Sequence, residues 1–103
     1  MSVLILEDIN RLERLYSAGF QDTFLDNALR KLIMRQIARD EQNLANVTAA
    51  LAQLERQHGI TSQEFWQRFQ AGAMPDTADA MEWNVLLKTQ RRITHRLQIL
   101  RDA

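Results

Sequence analysis

TFLDNALRKLIMRQIARDEQNLANVTAALAQLERQ, residues 23–57, contains neither glycine nor proline. Leu25, Leu29, Ile33, Ile37, Leu44, Val47, Leu51, Leu54 and then His58 follow one another at steps of three or four, broken at a single place that Asp40 fills. That is the spacing of one helical face, and such a run makes a helix of roughly 50 Å at 1.5 Å per residue. A helix of that length exceeds what a compact domain of this size can hide, so one end is expected to project or to pack on a second chain. Gly59 ends it.

Upstream, Leu4, Ile5, Ile9, Leu12, Leu15 and Tyr16 carry the same periodicity, and Gly19 is a natural stop. After the joint Phe20-Gln21-Asp22, either Asp22 or Thr23 can cap the long helix, with Asp26 in its first turn. Downstream, Thr61-Ser62-Gln63-Glu64 fits a capping box, in which Thr61 and Glu64 each satisfy the other's free amide, with Ile60 and Phe65 in the two staple positions. The helix it opens is short and aromatic (Phe65, Trp66, Phe69) and closes at Gly72. Its aromatic side is expected to plug the end of a helix pair.

Pro75 disfavours helix at Met74, and Asp76 can cap the last helix with Asp79 at its third position. That helix carries an apolar stripe of Trp83, Leu86, Leu87, Ile93, Leu97 and Leu100, with Gln90 in the seam. The expected fold is all-α: helices at about 4–18, 23–57, 62–71 and 78–101 in one domain over residues 1–103, a long antiparallel hairpin with a short aromatic elbow. Asp40 and Gln90 are polar residues in its coiled-coil-like seam, and the residues leave open whether they form a layer there.

The totals agree with this. Three glycines and one proline in 103 residues favour a few long helices over many short strands. Thirteen basic residues balance thirteen acidic ones, so bulk attraction to nucleic acid or anionic lipid is not expected, and weak self-repulsion suits a protein that sits in a complex. With no cysteine, disulfides, thiolate metal sites and thiol nucleophiles are excluded together. Met1 to Leu6 has no basic flank and is too short for a signal peptide, and no stretch nears the roughly 20 apolar residues of a membrane span, so a cytoplasmic protein is expected.

Neutrality conceals an asymmetry. Residues 28–39 hold Arg30, Lys31, Arg35 and Arg39 without an acid, and residues 83–101 hold Lys88, Arg91, Arg92, Arg96 and Arg101, again without one. An antiparallel hairpin would bring these stretches toward one end, while Glu55, Glu64, Asp76, Asp79 and Glu82 collect at the other. Helix dipoles explain much of the pattern, and Arg96 can pair across the hairpin with Asp40 or Glu41.

Catalytic signals are thin. Glu55-Arg56-Gln57-His58 has the spacing of half a helical carboxylate metal site, but His95 is preceded by Arg92, so the second half is absent. Asp76, Asp79 and Glu82 form an acidic row with no opposing pair, which capping explains. No glycine-rich phosphate loop and no nucleophilic triad can be assembled. The reading is not an enzyme, with no cofactor and no metal.

Phe65-Trp66-Gln67-Arg68-Phe69-Gln70-Ala71-Gly72 and Pro75-Asp76-Thr77-Ala78-Asp79-Ala80-Met81-Glu82-Trp83, with Ala28-Leu29-Arg30-Lys31-Leu32 and Gln36-Ile37-Ala38-Arg39-Asp40, resemble a family of small helical bacterial proteins. Some of its members are antitoxins of two-gene toxin–antitoxin pairs, including partners of TumE-like toxins. The resemblance spans most of residues 20–97 and implies a protein that binds a toxin-like neighbour-gene product. Without a separate DNA-binding module, such an antitoxin would act by binding alone or rely on the toxin for regulation.

The residues themselves suggest a protein–protein interaction module, homodimeric or one half of a heteromeric pair. Its candidate contact residues are Trp66, Phe69 and Trp83 at the elbow, and Lys31, Arg35, Arg92 and Arg96 at the basic end. The alternative is a nucleic-acid-binding or regulatory factor using those bases. A metal-dependent hydrolase ranks third.

Overall fold

A computed structural model describes residues 2–102, with side chains from residue 3 onward; Met1 and Ala103, counted in the expected domain and apolar start, lie outside the described residues. Four helices follow in order: α1 (Ser2–Ser17), α2 (Thr23–His58), α3 (Ser62–Gln70) and α4 (Ala78–Arg101). Each boundary lies within two residues of its expectation. The described residues fall into two compact units divided between Leu32 and Ile33, inside α2.

The first unit holds α1 and the opening of α2. The Leu25 N–H donates to Asp22 Oδ1 at 3.2 Å, which makes Asp22, rather than Thr23, the cap. The Tyr16 hydroxyl donates to Asp26 Oδ1 at 2.6 Å and ties the two helices together. That bond to the Asp26 carboxylate pushes the tyrosine pKa up to about 12. Tyr16 also meets Phe20 edge-on at 5.7 Å. None of the described side chains in this unit is fully buried.

In the second unit α2 and α4 form the antiparallel pair, and α3 closes one end of it. Val47, Leu51 and Leu54 of α2, Phe65 of α3, and Ala80, Trp83, Leu87, Ile93 and Leu97 of α4 are the buried core, with Ile37, Leu44, Ile60, Trp66, Phe69, Met74 and Leu86 packed around it. Most of these are residues that the three- and four-step pattern selects, because only one stripe of each helix can face its neighbour; Ala80 and Met74 lie outside it. The stripe stops early, however. Ile33 is exposed, and so is His58 at the other end.

The helix starts differ from expectation in two places. Thr61 Oγ1 accepts from the Glu64 N–H at 3.0 Å, but the Glu64 carboxylate turns to Arg68 at 2.6 Å instead of completing the box. Glu55, one helix earlier, takes the Ser62 N–H at 2.7 Å, so the cap is shared between α2 and α3. In α4 the cap is Thr77, whose hydroxyl accepts from the Ala80 N–H at 3.1 Å, not Asp76. The helix begins one residue later than a cap at Asp76 requires, which frees Asp79 to reach His58.

Gly59 terminates α2 at φ 68°, with its N–H bonded to the Glu55 carbonyl at 2.9 Å. A Cβ there would meet nothing within 4 Å, so only the left-handed backbone resists a side chain. Gly59→Ala is therefore expected to lower stability by about 1 kcal/mol, read from urea unfolding followed by circular dichroism. No loss would mean that the α2–α3 joint relaxes freely.

Candidate interaction surface

The elbow aromatics divide into core and surface. Trp83 is 1% exposed and stacks on Phe65, with ring centroids 4.3 Å apart and planes at 7°. Its indole N–H donates to Ser62 Oγ at 3.0 Å, which satisfies the polar edge of a buried ring. As a contact residue for a partner, Trp83 is corrected to a core residue, because its face is spent on α3. Phe69 is half-buried against Phe65 at 5.5 Å. Trp66, also half-buried, keeps its outer face under the Arg91 guanidinium at 4.6 Å. This cation–π contact places one α4 base beside the elbow helix, where an acidic end was expected.

Two bases of the expected basic end are paired with acids. Asp40 is fully buried, and Arg96 grips it with two bonds, Nε to Oδ2 at 2.8 Å and Nη2 to Oδ1 at 2.7 Å. Gln36 adds a third bond to Oδ1 at 3.0 Å. The Arg96 guanidinium holds the Asp40 carboxyl below its ordinary range, outweighing burial, which pushes the other way. Arg96 is thus the partner of a buried acid, as its cross-hairpin pairing anticipated, and its side chain stays 50% exposed. Arg101 pairs with Glu41. Arg92 donates to Thr89 Oγ1 at 3.2 Å and lies along a cleft with Asn43, Asn46 and Arg96. Arg35 is exposed in the second unit. Lys31 is exposed in the first, beside Phe24, Asn27 and Ala28.

The metal-like spacings resolve into structural contacts. Glu55 caps α3, while His58 Nε2 lies 2.9 Å from Asp79 Oδ2 and packs on Trp83 at 5.6 Å. Asp79 and Glu82 line a small polar cleft with Gln53 and Gln57. Among the described residues, no group of three or more His, Cys, Asp or Glu side chains converges as a metal site would require. No helix among them is long and apolar enough to cross a membrane.

The second unit also carries a largely apolar groove. It is open, measures about 580 Å³ and runs between α2 and α4, lined by Glu41, Leu44, Ala45, Thr48, Ala49, Ala52, Leu97 and Arg101. Its α2 wall is built from Ala45, Ala49 and Ala52, at steps of four and three, where small side chains leave room between the helices. The periodic reading followed the large residues and passed over this row. Alanine at helical spacing beside the seam was the signal for it. No family model matches the chain, and neither a curated protein nor a solved structure was found to match it.

Proposed function

We propose that the chain is a non-catalytic protein–protein interaction module acting in the cytoplasm, and that its partner is a neighbour-gene product. The resemblance to the antitoxin-bearing family makes a toxin the partner class, neutralised by being bound. The observation that supports this reading is the groove between α2 and α4. It is lined mainly by Leu44, Leu97 and three alanines, with Thr48 among them, and rimmed by the Glu41–Arg101 pair. A groove of this kind accepts the apolar face of a partner's amphipathic helix, with the charged rim setting its orientation.

The nucleic-acid alternative loses groups it would need. Arg91 covers an indole, Arg96 neutralises a buried acid, and Arg101 is paired with Glu41. Binding to nucleic acid would have to rest on Arg30, Lys31, Arg35, Arg39, Lys88 and Arg92, in a chain of zero net charge.

The test is binding of the adjacent gene's product, measured by calorimetry. Ala49→Arg puts a long charged side chain at an exposed position of the groove wall. It is expected to weaken binding by at least ~100-fold, the scale of a lost interface core, while the thermal unfolding of the free chain stays unchanged. Undiminished binding by the variant, or no binding by the parent chain, would overturn the proposal.

A further inference from the structure

The first unit presents a problem that the groove does not address. Leu4, Ile5, Leu6 and Ile9 of α1, with Phe24 and Leu32 of α2, are each more than half exposed, and Phe24 reaches 81%. Three of these are consecutive, so apolar side chains cover more than half of the circumference at the start of α1. A helix with that pattern is ordinarily enclosed rather than half-solvated. Nothing within the unit encloses it, since two helices with no fully buried side chain have no core of their own.

The area is of the right size for a stable contact. These six side chains offer on the order of 600 Å² of apolar surface, with exposed Val3 and Leu15 adding to it. Summed over the two helices, that approaches the ~800 Å² each partner brings to a standard interface.

The charges say which occupant fits. Between residues 3 and 32 the acids Glu7, Asp8, Glu13, Asp22 and Asp26 alternate with Arg11, Arg14, Arg30 and Lys31. Asp8 and Arg11 already pair with each other at 3.2 Å. A surface so nearly balanced and so mixed in sign draws neither a strongly charged partner nor an anionic lipid surface. It does not repel its own copy.

We infer that residues 3–32 of this chain dock on the same residues of a second copy, two helical pairs closing into a four-helix contact related by a two-fold axis. In such an isologous contact one patch serves both sides, so a single apolar face covers itself. Four short helices around a shared apolar seam provide the enclosed side that the isolated pair lacks. This contact uses none of the residues that line the groove of the second unit.

The experiment is light scattering of the full chain over a wide concentration range, with charged and single-cysteine variants. The parent chain is expected at twice its 12.0 kDa mass. Leu6→Glu combined with Ile9→Glu should raise the dissociation constant by at least ~100-fold, because two buried apolar contacts become charges. Glutamate is a good helix former, so helicity and the fluorescence of buried Trp83 should stay unchanged. The chain lacks cysteine, so Ile9→Cys tests proximity directly: mild oxidation should link two copies, whereas Ile99→Cys, exposed on α4, should not. A single-chain mass at every concentration overturns the inference, including when lipid vesicles or another protein are bound instead. A charged double variant that keeps the doubled mass, or equal linking at Ile9 and Ile99, overturns it too. Ala49→Arg should leave the mass doubled, so failure of the dimer and failure of the groove are read separately.

Discussion

Trp83→Ala is expected to cost about 3–5 kcal/mol, the range for deleting a large buried ring. That is a large part of the roughly 5–15 kcal/mol by which small domains are stable. The substitution removes the ring that Phe65 stacks on and that His58 packs against, and it deprives Ser62 of its indole donor. Because α3 meets the helix pair through this cluster, its docking should loosen together with global stability. Trp66→Ala, at a half-buried ring with Arg91 on its outer face, is expected to cost only about 1 kcal/mol. Urea unfolding of the two variants, followed at 222 nm, checks both numbers. Equal and small losses would show that the elbow aromatics do not build the core.

The second large effect lies at the Asp40–Arg96 pair, and it should be lopsided. Asp40 is fully enclosed, while the Arg96 side chain is 50% exposed. Arg96→Met leaves a buried carboxylate with Gln36 as its remaining side-chain donor, and the melting temperature is expected to fall by at least ~10 °C. Asp40→Leu leaves an arginine that can turn to water, so it should melt near the parent temperature or above it. A polar group removed from the seam relaxes register, so the same variant should assemble less uniformly.

The pair also sets an acid limit. The folded-state pKa of Asp40 lies below its ordinary value of 3.8, so its contribution to stability is complete above that value. The contribution disappears as the pH falls further, through the folded-state pKa. Melting temperatures between pH 7 and pH 2 should therefore drop more steeply for the parent chain than for Asp40→Leu. Parallel curves would contradict the assignment.

Much of the fold was legible in the residues. Three- and four-step spacing from residue 25 to 54, with Asp40 filling its single gap, has one local solution, because no glycine or proline breaks the run. The terminators Gly19, Gly59 and Gly72 all take positive φ, as helix ends favour. Even the pairing of Asp40 with Arg96 could be anticipated, since an acid in an apolar seam needs a cation from the facing helix.

Periodicity shows that a stripe exists, but not how far the partner helix runs alongside it. Thus Ile33 is exposed while Ile37, four residues later, packs against the core. It grouped Trp66, Phe69 and Trp83 without ranking them, since burial depends on which ring lands under α3. Capping patterns named donors and acceptors close in sequence, and tertiary structure brought a closer one: Glu55 took the Ser62 amide and Glu64 turned to Arg68. The runs of arginine looked free because their partners, Asp40, Glu41 and Trp66, are distant along the chain.

What the residues determined by themselves was the helices, their approximate ends and their apolar stripes, since backbone hydrogen bonding and side-chain spacing are local. What only the tertiary structure decided was which charges are spent on one another, which aromatic rings are core, and which apolar faces stay uncovered. Those depend on distances between residues far apart in the chain.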